Sequence, residues 1–232
     1  LKYHGVKTAW DLTQKTESWV QRMLTITGVR TWRELRGESC ICIDELPHKQ
    51  SICTSRSFPD GGLTNRADVE EALANFAARC SSKMRRENTV CKAISIFAYT
   101  NRFRPDLPTD YIYQTYYPLV PTSDLNEIVG YAVGMLRSAW KGDGKFNYKK
   151  AGVLVWNIVD SSPIQGNLFD TFDREKQAQL SRAIDEINRK NGHNAIRMAV
   201  QGYSKKWHLK CEYISKQYTT NIDDIIKLKL NK

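Results

Sequence analysis

The strongest chemical suggestion lies in one short segment, SICTSRSF. There Ser51, Cys53, Ser55 and Ser57 alternate with other side chains. In a strand, period-two alternation puts these four on one face. Small side chains let backbone N–H groups approach phosphate oxygens closely. Arg56 falls on the opposite parity, beside Phe58; it either reaches round to a phosphate or lies along the core face with its head snorkelling out. Lys92 opens a second strand-like run, and Lys149 and Lys150 open a third. For each of these, phosphate contact and plain solvation stay open, since surface lysines are the default. Arg79, Lys83, Arg85 and Arg86 lie on a helical stretch and are expected to be solvated.

A second suggestive segment is Ile164-Gln165-Gly166-Asn167-Leu168-Phe169-Asp170. A Leu-Phe pair in a polar, Gly/Pro-containing stretch either packs back on its own domain or docks as an extended peptide into an apolar groove of another protein. Catalysis finds less support. His4, His48, His193 and His208 are scattered, without nucleophile or metal spacing. The acid pairs Glu70-Glu71 and Asp223-Asp224 sit in amphipathic segments and read as solvated faces. Six cysteines form no C-x-x-C, and Cys40-x-Cys42 has no partner at zinc spacing, so no metal site is expected; the thiols read as reduced and mostly buried.

The elements that would position these residues follow a regular order. Residues 5–37 read as short helices, with Gly28 separating two of them and Trp10, Leu12, Trp19, Val20, Met23 and Leu24 sharing an apolar face. From 51 onward the pattern is strand 51–58, helix 65–87, strand 90–100, strand 112–120, helix 123–140 and strand 148–159. Val69, Leu73, Phe76, Ala77 and Cys80 mark the buried side of the first helix. Leu125, Ile128, Val129, Val133 and Leu136 mark that of the second. Asn65 and Ser123 are the expected N-caps, and Pro118 inside the third strand predicts a bulge or sheet edge. The order β-α-β-β-α-β is the split βαβ signature of a ferredoxin-like α+β sandwich, with one sheet face under two helices and the other free. Residues 173–190 form a further helix, with Leu180, Ala183, Ile184 and Ile187 as its stripe, ended by Gly192. Residues 194–230 suggest a small β-rich unit, making the C-terminal part a small α/β appendage.

The composition fits these readings. The chain has 232 residues, 41% hydrophobic and 26% charged, and no apolar run of membrane-spanning length. Residue 1 is Leu, with no signal-peptide pattern behind it, and is expected to be a boundary within a longer gene product. The net charge of +10 points to a polyanionic partner. It is distributed as 8 basic against 6 acidic residues over 1–49, 14 against 11 over 50–160, and 13 against 8 over 161–232. The fold alone does not fix function. An acylphosphatase would need a phosphate-cradling loop after the first strand, where Pro59-Asp60-Gly61-Gly62 offers only a turn. An RNA-recognition module would stack single-stranded bases on Tyr113, Tyr116 or Tyr117, although its glycine pattern is absent. A protein-interaction scaffold for repair factors is a third reading.

An ordered set of segments carries a resemblance over nearly the whole chain: LRGESC, KQSICTSRSF, AARCSSKMRRENTVCKAISIF, PTSDLNEI, KAGVLVWNIV, QGNLFD, INRKNG and QYTTNIDDI. Together these resemble Y-family translesion DNA polymerases of the UmuC type. The resemblance implies that residues 1–37 are a helical thumb remnant, with GVKTAWDL similar to part of a helix-hairpin-helix. Residues 38–49 would be a linker and 50–160 the little finger that grips DNA. Residues 161–172 would be a linker with a clamp-binding peptide, and 173–232 the UmuC-type extension. It implies that Ser51, Cys53 and Ser55 offer backbone donors, and that Arg56, Lys92, Lys149 and Lys150 supply charge to both strands of a duplex without reading sequence.

The family's clamp peptide, Gln-Leu-x-Leu-Phe, reads here Gln165-Gly166-Asn167-Leu168-Phe169. Gly166 departs from it, at a cost of about 1–2 kcal/mol if the missing aliphatic would be buried. The implied partners are damaged primer-template DNA, a bacterial sliding clamp, a UmuD-type accessory subunit and a recombinase filament, in a cytoplasmic, nucleoid-associated setting. The family's catalytic carboxylates and Mg2+ belong to a palm domain to which nothing here corresponds. This chain is therefore expected to be non-enzymatic and to hold no cofactor.

Overall fold

The computed structural model describes residues 1–40, 48–162, 166–192, 194–204, 206–209 and 213–226. They fall into two compact units, Leu1–His48 and Lys49–Lys232.

The first unit holds a 3-10 turn at Lys2–His4, helix α1 at Ala9–Thr13 and helix α2 at Glu17–Leu35. Thr8 starts α1 through a reciprocal capping box: its hydroxyl accepts from Asp11 N–H at 3.2 Å, and the Asp11 carboxylate accepts from Thr8 N–H at 2.9 Å. The break in α2 falls at Thr25, whose φ of 63 interrupts the helix, and not at Gly28. Gly28 instead permits a close approach, because a Cβ there would collide with Leu24. Val6, Leu12, Val20, Val29 and Trp32 form a small core with Trp19 and Leu24 against it. Trp10 and Met23, expected in that face, are exposed. Trp32 takes the central place through a 3.1 Å hydrogen bond from its indole N–H to Lys15 O.

The second unit contains β1 (Ser51–Ser57), α3 (Arg66–Arg86), β2 (Thr89–Thr100), β3 (Tyr111–Tyr116), α4 (Leu125–Ala139), β4 (Tyr148–Asp160) and α5 (Arg174–Asn191). The first six follow the expected β-α-β-β-α-β order. The strands lie in the order β1-β4-β2-β3 and pair antiparallel throughout. Hydropathy explains that order. A central strand is covered more completely than an edge strand, and β2 and β4 carry the apolar runs AISIFA and AGVLV, whereas β1 and β3 are largely polar or tyrosine-rich. Pro118 lies beyond the end of β3 and disturbs no ladder.

Both helices cover one sheet face. Phe58, Val69, Leu73, Phe76, Ala77 and Cys80 pack with Ile94, Ile96, Ala98, Ile128, Leu136, Val153 and Val155 in one continuous core. Asp124, not Ser123, caps α4, accepting from Asn126 and Glu127 N–H at 2.9 and 3.0 Å. Asn65 occupies the cap position of α3 without a side-chain bond.

The C-terminal residues add a third layer. α5 docks on α3 and α4 by polar contacts and not by its expected apolar stripe. Arg85 forms a two-pronged pair with Asp185 at 2.6 and 2.7 Å, Ser181 bonds Asp124 at 3.1 Å, and Arg174 reaches buried Glu127 at 2.6 Å. Only Ile184 of the stripe packs on the core; Leu180 and Ile187 face solvent. Arg85, expected to be solvated, is therefore a docking residue. No strand occurs among the described residues of 194–226, where Ala199–Gln201 and Ile222–Asp224 form 3-10 turns. The apolar residues that suggested strands there serve in part as plugs. Trp207 is 2% exposed, meets Phe76 edge-to-face at 5.3 Å, and donates its indole N–H to Glu71 at 3.1 Å. Glu70 binds Arg137 through 3.0 and 2.9 Å bonds. The Glu70-Glu71 pair thus holds the layers together and is not a solvated face.

Candidate nucleic-acid interface

The sheet face away from the helices is open, and the strand register arranges its side chains in rungs. One rung runs Ser57–Lys150–Tyr99–Tyr111. The next runs Ser55–Gly152–Phe97–Tyr113, and a third Cys53–Leu154–Ser95–Thr115. The last brings Ser51 and Ala93 either side of Trp156. The face divides into two halves of different chemistry. On β1 the side chains are small and polar. On β2 and β3 they are largely aromatic.

The close packing of the rungs depends on Gly152. A Cβ at that position would run into the Phe97 ring and the Cβ of Ser55. The Trp156 indole N–H donates to Ser95 Oγ at 2.9 Å, and Ser95 Oγ lies 2.8 Å from Thr115 Oγ1. Tyr117 meets Trp156 edge-on at 5.8 Å.

β1 is an edge strand, so half of its backbone groups have no sheet partner among the described residues. Phe58 N–H bonds Lys149 O at 2.8 Å. The alternation of an antiparallel ladder then points the N–H groups of Ser51, Cys53, Ser55 and Ser57 away from β4. These are the residues with small side chains on the open face. A groove of about 450 Å3 runs beside the start of β1, lined by Lys49, Ser51, Lys83 and Arg86, with Glu87 among them. Lys49 pairs with Glu87.

Of the residues singled out by sequence, Ser51, Cys53, Ser55 and Lys150 share the open face. Lys92 is exposed on β2. Arg56 and Lys149 are turned elsewhere. The Arg56 guanidinium lies 5.8 Å from the Trp207 ring on the helix side, and Lys149 donates to Phe58 O at 2.8 Å. Tyr113 is on the open face, whereas Tyr116 stacks on Tyr131 of α4 at 4.2 Å. Sequence reasoning missed the groove cations, because Lys83 and Arg86 look like ordinary helix charges until β1 is placed beside them. It also missed Phe97, Tyr99 and Tyr111, although their i, i+2 spacing was visible.

The thiols divide in the same way. Burial pushes Cys80 up to about 11 and Cys91 up to about 12. Cys53 is exposed. Among the described residues, no three His, Cys, Asp or Glu side chains cluster to hold a metal ion, and no helix is long and apolar enough to cross a membrane.

In the second suggestive segment, Gln165 lies outside the described residues. Leu168 and Phe169 are 95% and 78% exposed at the tip of a turn. Asn167 shapes that turn: its side-chain oxygen accepts from Phe169 N–H at 2.9 Å and its carbonyl from Asp170 N–H at 3.0 Å. Arg174 bonds Asp170 at 2.7 and 3.1 Å as well as Glu127, so the turn is tied to α4 immediately after its tip. The Arg174 guanidinium holds the Asp170 carboxyl below the usual carboxylate range.

Residues 49–168 match the C-terminal domain of the impB/mucB/samB family, and residues 178–228 match a domain of unknown function. The chain is 35% identical over 227 residues to Protein UmuC of Salmonella typhimurium (strain LT2), covering 97% of this chain and 53% of that protein. It is 35% identical over 228 residues to Protein SamB of Salmonella typhimurium, covering 97% and 53%. Over 195 residues it is 24% identical to DNA polymerase IV of Clostridium acetobutylicum, covering 84% of this chain and 47% of that protein. The chain spans about half the length of the curated relatives it matches.

Proposed function

This chain belongs to the impB/mucB/samB family, the UmuC type of Y-family polymerase, and on that premise we propose that it is a DNA-holding and clamp-tethering part of a translesion DNA polymerase. The observation that carries the reading is the β1 edge, where outward N–H groups under small side chains lie beside the Lys49, Lys83 and Arg86 groove. Backbone donors and lysines grip phosphates in any sequence, as an enzyme copying damaged templates requires. Ser51, Cys53 and Ser55 supply the donors. Lys150 and Lys92 supply charge from the sheet, and Arg56 and Lys149 act indirectly, by fixing Trp207 and the end of β1. The Leu168–Phe169 tip docks in an apolar groove of a sliding clamp, with Gln165 as its polar anchor. Nucleotidyl transfer and its Mg2+ belong to another part of such an enzyme; the present part works in the cytoplasm, on the nucleoid. A UmuD-type subunit and a recombinase filament are further partners on this reading.

Titration of primer-template duplex over a range of salt tests the first half. Affinity falls steeply with salt and is indifferent to sequence; affinity that does not change with salt contradicts it. For the second half, Leu168→Ala with Phe169→Ala abolishes binding to a bacterial sliding clamp and leaves duplex binding intact. Full clamp binding by that double variant refutes the tether.

A further inference from the structure

The β2–β3 half of the open face has chemistry that duplex gripping does not use. Phe97 and Tyr99 lie 6.1 Å apart with rings 16° from parallel, Tyr99 and Tyr111 are 6.5 Å apart, and Tyr111 and Tyr113 are 6.2 Å apart and 8° from parallel. The four rings form one continuous patch. Tyr111 and Tyr113 are 62% and 48% exposed, more than packing against their own sheet requires. None of the side chains on the rungs described above is a carboxylate, and Lys150 stands next to Tyr99 in the outermost rung. Aromatic surface beside a cation, without acidic groups, suits nucleic acid whose bases are free. Paired bases keep their faces inside the stack, so along its length a duplex offers this patch backbone and groove edges but no base face to stack on.

We propose that Phe97, Tyr99, Tyr111 and Tyr113 form a stacking platform for the unpaired bases of single-stranded DNA, continuous with the duplex-holding β1 edge. The proposal rests on the nucleic-acid reading of this sheet and extends it to a second substrate form. A primer-template end presents both forms side by side: the small-residue half takes phosphates of the paired part, and the aromatic half takes bases of the strand that is not paired. Stacking is indifferent to base identity, because every base has a π-face.

The test uses the full 232-residue chain, a short oligothymidylate and a duplex of equal length, with binding read by quenching of intrinsic fluorescence. Tyr111→Ser with Tyr113→Ser weakens oligothymidylate binding by about tenfold or more and duplex binding by less than about twofold. Tyr111→Phe with Tyr113→Phe retains both, since the ring face and not the hydroxyl makes the contact. Melting temperature checks that each variant is folded, which the exposure of both side chains leads one to expect. Unchanged oligothymidylate binding by the folded serine variant overturns the platform, as does equal loss of both ligands. Wild-type chain that binds duplex but no oligothymidylate overturns the platform alone. Wild-type chain that binds neither removes the nucleic-acid reading beneath it.

Discussion

The two faces of one four-stranded sheet have opposite fates. The even-numbered residues of β1, Ile52, Thr54 and Arg56, meet α3 and the C-terminal layer, while Ser51, Cys53 and Ser55 lie on the sheet face away from the helices. On the covered face, carboxylates join one element to the next. Glu70, Glu71, Asp124, Glu127 and Asp185 each bind a cation, hydroxyl or indole of another element. On the open face polar groups are small, backbone donors point outward and rings lie bare. The contrast teaches how one sheet divides its chemistry: the covered face builds a plate, and the open face is what the plate presents.

Breaking the covered face has the largest effects. Trp207→Ala empties a fully enclosed site against Phe76 and leaves Glu71 without its indole donor. The expected loss is about 3–5 kcal/mol of unfolding free energy, measured by denaturant titration. Below the new melting temperature, duplex affinity falls only slightly, through the loss of the ring that Arg56 rests on. Arg174→Met leaves Glu127, 2% exposed at its side chain, to the hydroxyl donors Thr122 and Tyr131, without its cation. Because Arg174 is itself one-third exposed, the loss is about 2 kcal/mol. Clamp affinity falls as well, because the turn behind Phe169 loses its tie.

Gly152→Ala acts on the open face. It forces Phe97 and Ser55 apart, lowering stability by on the order of 1 kcal/mol while weakening duplex and single-strand binding together. The smallest effect is acid sensitivity at Asp110. Burial raises this carboxyl, but hydrogen bonds from Lys141 and Tyr148 outweigh it, and the net shift is downward. A depressed carboxyl contributes stability that is present above its unfolded value, about 3.9, and is lost as pH falls through the lower folded one. Thermal melts between pH 5 and pH 2 show a smaller loss for Asp110→Asn than for the parent chain.

Much of the covered face was legible in the sequence. Helical spacing in 65–87 and 123–140 identified both inward stripes, because burial leaves a periodic trace. Strand order was less direct: β-α-β-β-α-β does not say which strands are central, and only the longer apolar runs of β2 and β4 do. The tail misled, since α5 docks by Arg85–Asp185 and Arg174–Glu127, and ion pairs between distant residues have no local period. Trp10 looked like core because amphipathic spacing counts residues without seeing which helix face a neighbour occupies. At the candidate site, the Ser51–Ser57 alternation and Lys150 were readable. The Lys83 and Arg86 groove was not, because it exists only where a helix end meets a strand edge. Arg56 sat on the parity that the alternation itself assigned to the core.

The most direct measurement uses a thiol already in place. Cys53 is exposed on the open face, whereas Cys80 and Cys91 are buried and hold their protons tightly. The rate of Cys53 alkylation by iodoacetamide, located by mass spectrometry, is to be followed with and without saturating primer-template duplex. A duplex seated on the β1 edge slows modification of Cys53 severalfold, and added salt restores the rate as the complex dissociates. An unchanged Cys53 rate at saturating duplex would place the DNA on another surface and contradict the account.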